Sequence, residues 1–221
     1  MLYYSQFLRQ LTVLSLAVQL GACAVISKSE CEDNNWQRVG YSAGADGEAD
    51  SLIAFNKRAD VCAKYGLPAD ISGFEIGYAQ GKDDFCEISN AVKLGVRGQR
   101  RAVDDQVCTD FRYLGFNAAF NKGYGLYKLK RQLAETQSQI DYFENQIYRH
   151  QRKRRQLAQQ IQAGELSEQQ IRSAYHYRNR LGHDIYDVRT RIRGYANRLR
   201  SDERAVRKYQ MLLDTEFGGD F

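Results

Sequence analysis

Basic side chains concentrate in one segment of the second half of the chain. Residues 149–183 carry eight cations against two carboxylates, Glu165 and Glu168, which gives a net charge of +6. A positive potential of this kind attracts anionic partners before contact, although basic residues on a solvated helical face often serve solubility alone. The candidate partner-binding residues are Arg149, Arg152, Lys153, Arg154, Arg155, Arg172, Arg178 and Arg180.

The three histidines, His150, His176 and His183, lie in the same segment. No two of them have the i, i+4 spacing of a helical metal site, and the surrounding cations repel a divalent ion. We therefore expect no metal. Tyr175 and Tyr177 could serve as contact anchors for a partner, while packing near a helix end is an equal alternative.

Recognisable catalytic motifs are absent from the sequence. It contains no G-x-S-x-G, no H-E-x-x-H and no P-loop, and residues 24–121 include no histidine, the commonest general base. We predict a protein that is not an enzyme and needs no cofactor. The alternative is an enzyme that uses carboxylates of the first half, for which the candidates are Asp83, Asp84, Asp104 and Asp105.

The start of the chain is typical of an exported protein. Residues 11–22 form a short apolar stretch after Arg9, which predicts a signal peptide over residues 1–22 and is too short to span a bilayer. Leu20-Gly21-Ala22-Cys23 resembles the lipobox of bacterial lipoproteins. The resemblance implies that Cys23 carries acyl chains such as palmitate, and Ala24 implies an outer-membrane anchor facing the periplasm. Two or more chains make such an anchor stable.

Four further cysteines, Cys31, Cys62, Cys86 and Cys108, are an even number in a compartment that permits disulfides. Four cysteines allow three pairings. We favour the sequential pairing, Cys31 with Cys62 and Cys86 with Cys108, because each bridge closes a modest loop. A Cys₄ zinc site would require close pairs such as C-x₂-C, which this sequence lacks.

Composition predicts the fold class. A single proline, Pro68, in 221 residues favours helix, fifteen Tyr and ten Phe exclude a disordered chain, and a mean hydropathy of −0.60 excludes a polytopic membrane protein. Net charge is −4 over residues 23–121 and +8 over residues 122–221. We predict an all-α protein with a small disulfide-bridged helical domain over 23–121 and a long antiparallel coiled-coil hairpin over 122–221.

Glycines recur at about one helical turn in the first domain. Because glycine costs about 1 kcal/mol in a helix, a repeated row needs a reason, and small residues at i, i+4 allow a second helix to approach closely. Aromatic residues such as Trp36, Phe74, Phe116 and Phe120 precede these rows and would supply the core. The glycines are Gly40, Gly44, Gly47, Gly77, Gly81, Gly95, Gly98 and Gly123.

The joint spacing of these residues resembles the DUF2799 family of uncharacterised bacterial lipoproteins. The similarity covers about residues 20–130 and includes the lipobox, Cys31-x₄-Trp36-x₃-Gly40-Tyr41, Gly77-x₃-Gly81-x₄-Cys86 and Cys108. The resemblance implies an exported, helical, cysteine-bridged domain without an assigned activity. It supplies no catalytic residue.

The second domain shows two heptad seams. One runs from Leu126 to Ile161 and the other from Ile171 to Leu213, with apolar residues at alternating steps of three and four. Gly164 and a Ser167/Gln170 capping box predict a turn near 163–167, and hence an arm of about 60 Å at 1.5 Å per residue. The turn brings Arg154 close to Arg178 at seam positions, where like charges repel.

These features favour an adapter over an enzyme: lipid at one end, a bridged domain, and a rigid arm with a basic tip. The predicted partners are the membrane, through the acyl chains, and an anionic envelope component such as peptidoglycan, anionic lipid or an acidic protein. Nucleic acid is not expected after export. Self-association is a further alternative, because His150, Arg154 and Asp202 leave the seams incompletely apolar and two hairpins could form a four-helix bundle.

Overall fold

All regular secondary structure in residues 27–33 and 35–219, which the computed structural model describes, is helical. The all-α prediction is confirmed, including the antiparallel coiled-coil hairpin. Contacts divide the chain into two units, one up to Phe85 and one from Cys86. The first contains α1 (Lys28–Glu32), α2 (Trp36–Ala45), α3 (Ser51–Ala63) and α4 (Ile71–Phe85). The second contains α5 (Ile88–Val96), α6 (Arg101–Asp104), a 3₁₀ helix (Phe111–Tyr113), α7 (Phe116–Gln162) and α8 (Glu168–Phe217).

An aromatic cluster forms the core of the first unit. Trp36 of α2 lies 5.2 Å from Phe55 of α3 between ring centroids, and Phe55 lies 5.4 Å from Phe74 of α4. Phe74 also stacks on Tyr78, whose hydroxyl donates to the carbonyl of Glu48. Burial raises the pKa of Tyr78, and the nearby carboxylates raise it further. Aromatic side chains that are distant in the sequence therefore hold these three helices together.

Glycines bring α2 and α4 into backbone contact. A Cβ atom on Gly77 would lie 1.8 Å from the carbonyl oxygen of Gln37, and one on Gly40 would lie 1.9 Å from the carbonyl oxygen of Phe74. Gly44 and Gly81 have equally close backbone neighbours on the opposing helix. The predicted role of the glycine rows, close helix approach, is confirmed here, because no side chain fits between the two backbones.

Two of the predicted helical glycines have a different role. Gly47 and Gly98 lie beyond the ends of α2 and α5, with φ of +71° and +73°. Their assignment to helical rows was wrong. Positive φ favours glycine because it has no Cβ, and the backbone N–H groups of these two residues donate to carbonyls of the preceding helix end, Gly44 and Gly95.

The four cysteines in the described part of the chain form two disulfides. Cys31 of α1 bonds Cys62 near the end of α3, with Cα atoms 5.5 Å apart. Cys86 bonds Cys108, with Cα atoms 5.6 Å apart. Of the three pairings open from the sequence, the structure therefore has the sequential one. Each bridge lies within a single unit.

In the second unit, α5 packs against the beginning of α7 through another glycine contact. A Cβ on Gly95 would lie 2.2 Å from the carbonyl oxygen of Phe120, and one on Gly123 would lie 2.2 Å from that of Val92. Helix α7 begins after Gly115, whose φ is +100°, and continues without a break through residues 121 and 122. The domain boundary that we predicted from the sequence lies between these two residues, inside a continuous helix. No change of secondary structure therefore marks that boundary.

A glycine and a helix-capping serine form the turn between α7 and α8. Helix α7 ends at Gln162, and Gly164 follows with φ of +71°. Ser167 caps α8: its side chain accepts from the backbone of Gln170, whose side chain accepts in return from the backbone N–H of Ser167. This reciprocal pair satisfies two N–H groups that the first helical turn leaves unpaired. It fixes where α8 starts and hence how the two seams align.

The seam between α7 and α8 contains one buried carboxylate. Asp202 is only 7% exposed and accepts hydrogen bonds from Gln132 Nε2 at 2.7 Å and from Thr136 Oγ1 at 2.9 Å. Phe143 and Tyr195 meet nearby, with ring centroids 5.6 Å apart. Asp202 therefore has partners within its own hairpin and does not require a second hairpin to satisfy it.

Replacing Asp202 by alanine is expected to lower the free energy of unfolding by about 1–3 kcal/mol, because Thr136 Oγ1 is left buried without its partner. The double variant T136V/D202L removes both polar groups and should recover much of the loss. A double-mutant cycle of T136V, D202L and T136V/D202L, from urea denaturation followed by circular dichroism at 222 nm, measures the coupling. A D202A variant as stable as the parent would show that this layer does not stabilise the hairpin.

Candidate anion-binding site

The predicted basic residues lie at the end of the hairpin that contains the α7–α8 turn. Five are in the last part of α7 and three in the first part of α8. Six are exposed, whereas Arg154 and Arg178 are half-buried. Within residues 149–183, all of which are described, the ion pair is Arg172 with Glu168, at 4.0 Å between exposed side chains. Most of the positive charge in this segment is therefore not neutralised by neighbouring carboxylates.

Arg154 and Arg178 line one cleft with a volume of about 280 Å³. Its other lining residues are Gln151, Arg155 and Ala158, so that residues of α7 at positions 151, 154, 155 and 158 form one side and Arg178 of α8 forms the other. The structure thus brings together three of the eight predicted basic residues. The remaining five lie outside the cleft lining.

Two arginines that line this cleft each have a buried hydrogen-bond donor without an acceptor. The Nε atoms of Arg154 and Arg178 are both buried, and neither has a hydrogen-bond partner. Buried donors are normally paired, and a buried charged donor without an acceptor is costly. An oxyanion supplied from outside would satisfy both, since guanidinium donors bind carboxylate and phosphate oxygens strongly.

The next layer of the seam explains how the arginines are held. Leu157, Ala174 and Leu181 form a buried apolar cluster beside the cleft, with Ile161 packed against it. Arginine stems can cover such apolar surface while the guanidinium stays at the polar edge. Gly182 lies opposite, where an added Cβ would be 3.9 Å from Arg154 Cζ. The guanidinium of Arg154 is therefore positioned against a small residue of α8.

Both tyrosines that were predicted as contact anchors stack with arginines. The guanidinium carbon of Arg178 lies 5.4 Å from the ring centroid of Tyr175, and that of Arg180 lies 5.6 Å from that of Tyr177. Cation–π contacts of this kind orient the planar guanidinium. Sequence reasoning missed Gln151, Ala158 and Gly182, although the helical spacing of Gln151 and Ala158 from Arg154 would have placed them on its face.

Residues 35–125 match the family model DUF2799, described as a protein of unknown function. This segment is a DUF2799 domain. The family predicted from the cysteine and glycine spacing is therefore confirmed. Comparison of the chain with curated proteins and with solved structures gives no significant match. The matched segment contains the glycine contacts of both units and ends before the basic cleft, so the family match carries no information about Arg154 and Arg178.

Three of the four carboxylates proposed for an enzyme, Asp84, Asp104 and Asp105, make local surface interactions in the DUF2799 domain. Asp84 accepts a hydrogen bond from Tyr41 at 2.6 Å, which raises the pKa of that tyrosine. Asp104 pairs with Arg100 at 3.4 Å, and Asp105 pairs with Arg101 at 3.1 Å. Each is an exposed contact between neighbouring side chains.

Other predicted positions have simpler outcomes. Cys23 and the signal peptide over residues 1–22 lie outside the described residues. Of the histidines, His150 is half-buried, while His176 and His183 are exposed. Across the described residues, no three His, Cys, Asp or Glu side chains are grouped so that they could hold a metal ion. Within that same part of the chain, no helix has the length and apolar character needed to cross a bilayer.

Proposed function

We propose that this protein is a non-enzymatic adapter of the bacterial envelope. Acyl chains on Cys23 tether it to the outer membrane, and the coiled-coil arm presents a basic end to the phosphates of an anionic lipid surface. The observation that carries this proposal is the pair of buried Nε donors of Arg154 and Arg178, which lack an acceptor.

Three further features support the proposal. The heptad seams make the arm a pair of long helices of 47 and 50 residues, and such coiled coils hold their ends at a fixed distance. The basic residues concentrate at the turn end of the arm, where exposed Arg152, Lys153 and Arg155 add to the cleft charge. Phosphate-bearing surfaces attract clusters of Lys and Arg through their negative potential.

The test reverses four charges at the arm end. The variant R152E/K153E/R154E/R155E should retain less than about a tenth of the parent's binding to vesicles that contain anionic lipid, because attraction becomes repulsion. A matched control, R189E/R191E/R193E/R198E, applies the same charge change to exposed arginines further along α8 and should bind within about twofold of the parent. Co-sedimentation at low and high salt measures both, since exposed charges are screened by salt.

Equal losses in the two variants would show that net charge, rather than the arm end, drives binding, and would contradict the proposal. Binding to peptidoglycan sacculi with no binding to anionic vesicles would also contradict it and assign the arm to a different partner. Anchoring is tested separately: the parent should incorporate labelled palmitate and a C23S variant should not. A parent chain without label would remove the tether.

A further inference from the structure

We propose that the cleft between Arg154 and Arg178 binds one dianionic phosphate group, that of a phosphomonoester. The inference rests on the proposed function, because it names the group that the basic arm end holds. It concerns a defined site on two helices rather than a diffuse charged surface.

The geometry of the donors favours a phosphate. Arg154 is on α7 and Arg178 is on α8, both residues line the same cleft, and the buried Nε–H group of each has no acceptor. A ligand that satisfies both must present oxygens toward two helices at once. A phosphomonoester has three terminal oxygens that accept strong hydrogen bonds from arginine, whereas a carboxylate has two in one plane.

The charge of the cleft favours a dianion. Its five lining residues include three arginines and no carboxylate. A phosphomonoester carries about −1.5 to −2 at neutral pH and balances more of this charge than a single carboxylate does. The guanidinium carbon of Arg178 lies over the ring of Tyr175, and its Nε donor has no protein acceptor. Gln151, also in the lining, adds a neutral amide donor.

The size of the cleft is sufficient. Its volume of about 280 Å³ is many times the ~10–15 Å³ that one water molecule needs by the same measure. A tetrahedral phosphate fits with space left for the group to which it is esterified. The two arginines also occupy seam positions, where apolar residues would pack and like charges repel. Bound phosphate would offset that repulsion, so binding and hairpin stability are linked.

The experiment compares two variants of the full chain that lose the same two charges. R154Q/R178Q removes the buried donors, while R152Q/K153Q removes exposed cations outside the cleft lining. Inorganic phosphate is titrated by calorimetry, with sodium chloride at equal ionic strength as the reference and acetate as the carboxylate probe. We expect saturable phosphate binding that weakens at least tenfold in R154Q/R178Q and stays within twofold in R152Q/K153Q. R154K/R178K, which keeps charge but loses the Nε donors, should also weaken it severalfold.

A thermal measurement separates lost binding from lost folding. For the parent, phosphate at ten times its dissociation constant should raise the Tm by about 3 °C. R178L should raise the Tm in chloride, because it replaces a repelling cation with an apolar seam residue, and should abolish the increase with phosphate. A variant that misfolds would have a lower Tm. A raised Tm in chloride together with loss of the phosphate effect therefore indicates lost binding rather than lost folding.

Several results would overturn the site. These are no saturable phosphate binding, equal weakening in the two double variants, or acetate binding as tightly as phosphate. Vesicles of phosphatidylcholine with phosphatidic acid, compared with phosphatidylglycerol, test whether a lipid phosphomonoester is the source. If phosphate binds selectively but no vesicle does, the site stands and the adapter function fails. If anionic vesicles bind the parent and R154Q/R178Q equally, the adapter function stands and the site fails.

Discussion

Alanine at Gly77 is expected to lower the free energy of unfolding of the first unit by about 2 kcal/mol or more. The new Cβ would lie 1.8 Å from the carbonyl oxygen of Gln37 and 2.8 Å from the backbone nitrogen of Tyr41. Both atoms are backbone of α2, so no rotamer change can relieve the overlap and the helices must separate. Overpacking a well-packed core costs about 1–3 kcal/mol and sometimes more. The gain in helix propensity from glycine to alanine, about 1 kcal/mol, offsets only part of an overpacking cost at the upper end of that range.

A single tryptophan makes this measurement specific to the first unit. Trp36, the one tryptophan of the chain, is 6% exposed in the core beside α4. Its fluorescence during urea denaturation therefore reports on that unit, while circular dichroism is dominated by α7 and α8. The midpoint for Gly77→Ala should fall sharply by fluorescence.

Gly194→Ala provides the matched control. Gly194 lies within α8 and has no atom within 4 Å of an added Cβ. Alanine there should stabilise the hairpin by about 0.5–1 kcal/mol through propensity and unfolded-state entropy. An unchanged fluorescence midpoint for Gly77→Ala would show that α2 and α4 are not in backbone contact.

Loss of the Cys31–Cys62 disulfide is expected to lower the stability of the first unit by about 3–4 kcal/mol. The bridge closes a loop with a sequence separation of 31 residues, and opening it restores chain entropy to the unfolded state. The variant C31S/C62S should show an earlier fluorescence transition of Trp36 under oxidising conditions. Cys86 with Cys108, separated by 22 residues, should have a similar effect on the second unit.

Reductant supplies the control for both bridges. Dithiothreitol should move the parent's fluorescence transition to that of C31S/C62S and leave the variant's own transition unchanged. The same comparison with C86S/C108S, followed by circular dichroism, applies to the second unit. Equal midpoints for the parent with and without reductant would count against both disulfides as stabilising elements.

Much of the fold followed from local patterns. The heptad spacing from Leu126 to Ile161 and from Ile171 to Leu213 predicted two packed helices, and Gly164 with Ser167 and Gln170 predicted the turn between them. These features depend on periodicity and on capping chemistry within a few residues, which a sequence displays directly. Glycine spacing likewise predicted close helix contact, but could not show that Gly47 and Gly98 lie beyond helix ends.

The contacts between distant residues needed the three-dimensional structure. The sequence did not show that Gln132 and Thr136 would donate hydrogen bonds to Asp202. The exact alignment of two long helices depends on how they pack. Nor could four cysteines select one of three pairings, since bond formation depends on where helices place their Cα atoms.

The sequence by itself determined that this protein is helical, that its domain belongs with DUF2799, and that its positive charge gathers near one turn. These properties depend on composition and on spacing along the chain, which the sequence displays directly. Only the tertiary structure distinguished these cations from one another: the Nε donors of Arg154 and Arg178 are buried, whereas Arg152 and Lys153 are exposed to solvent. Burial and the lack of an acceptor depend on which side chains of the opposing helix lie beside each arginine. The sequence of α7 or of α8 alone does not contain that information.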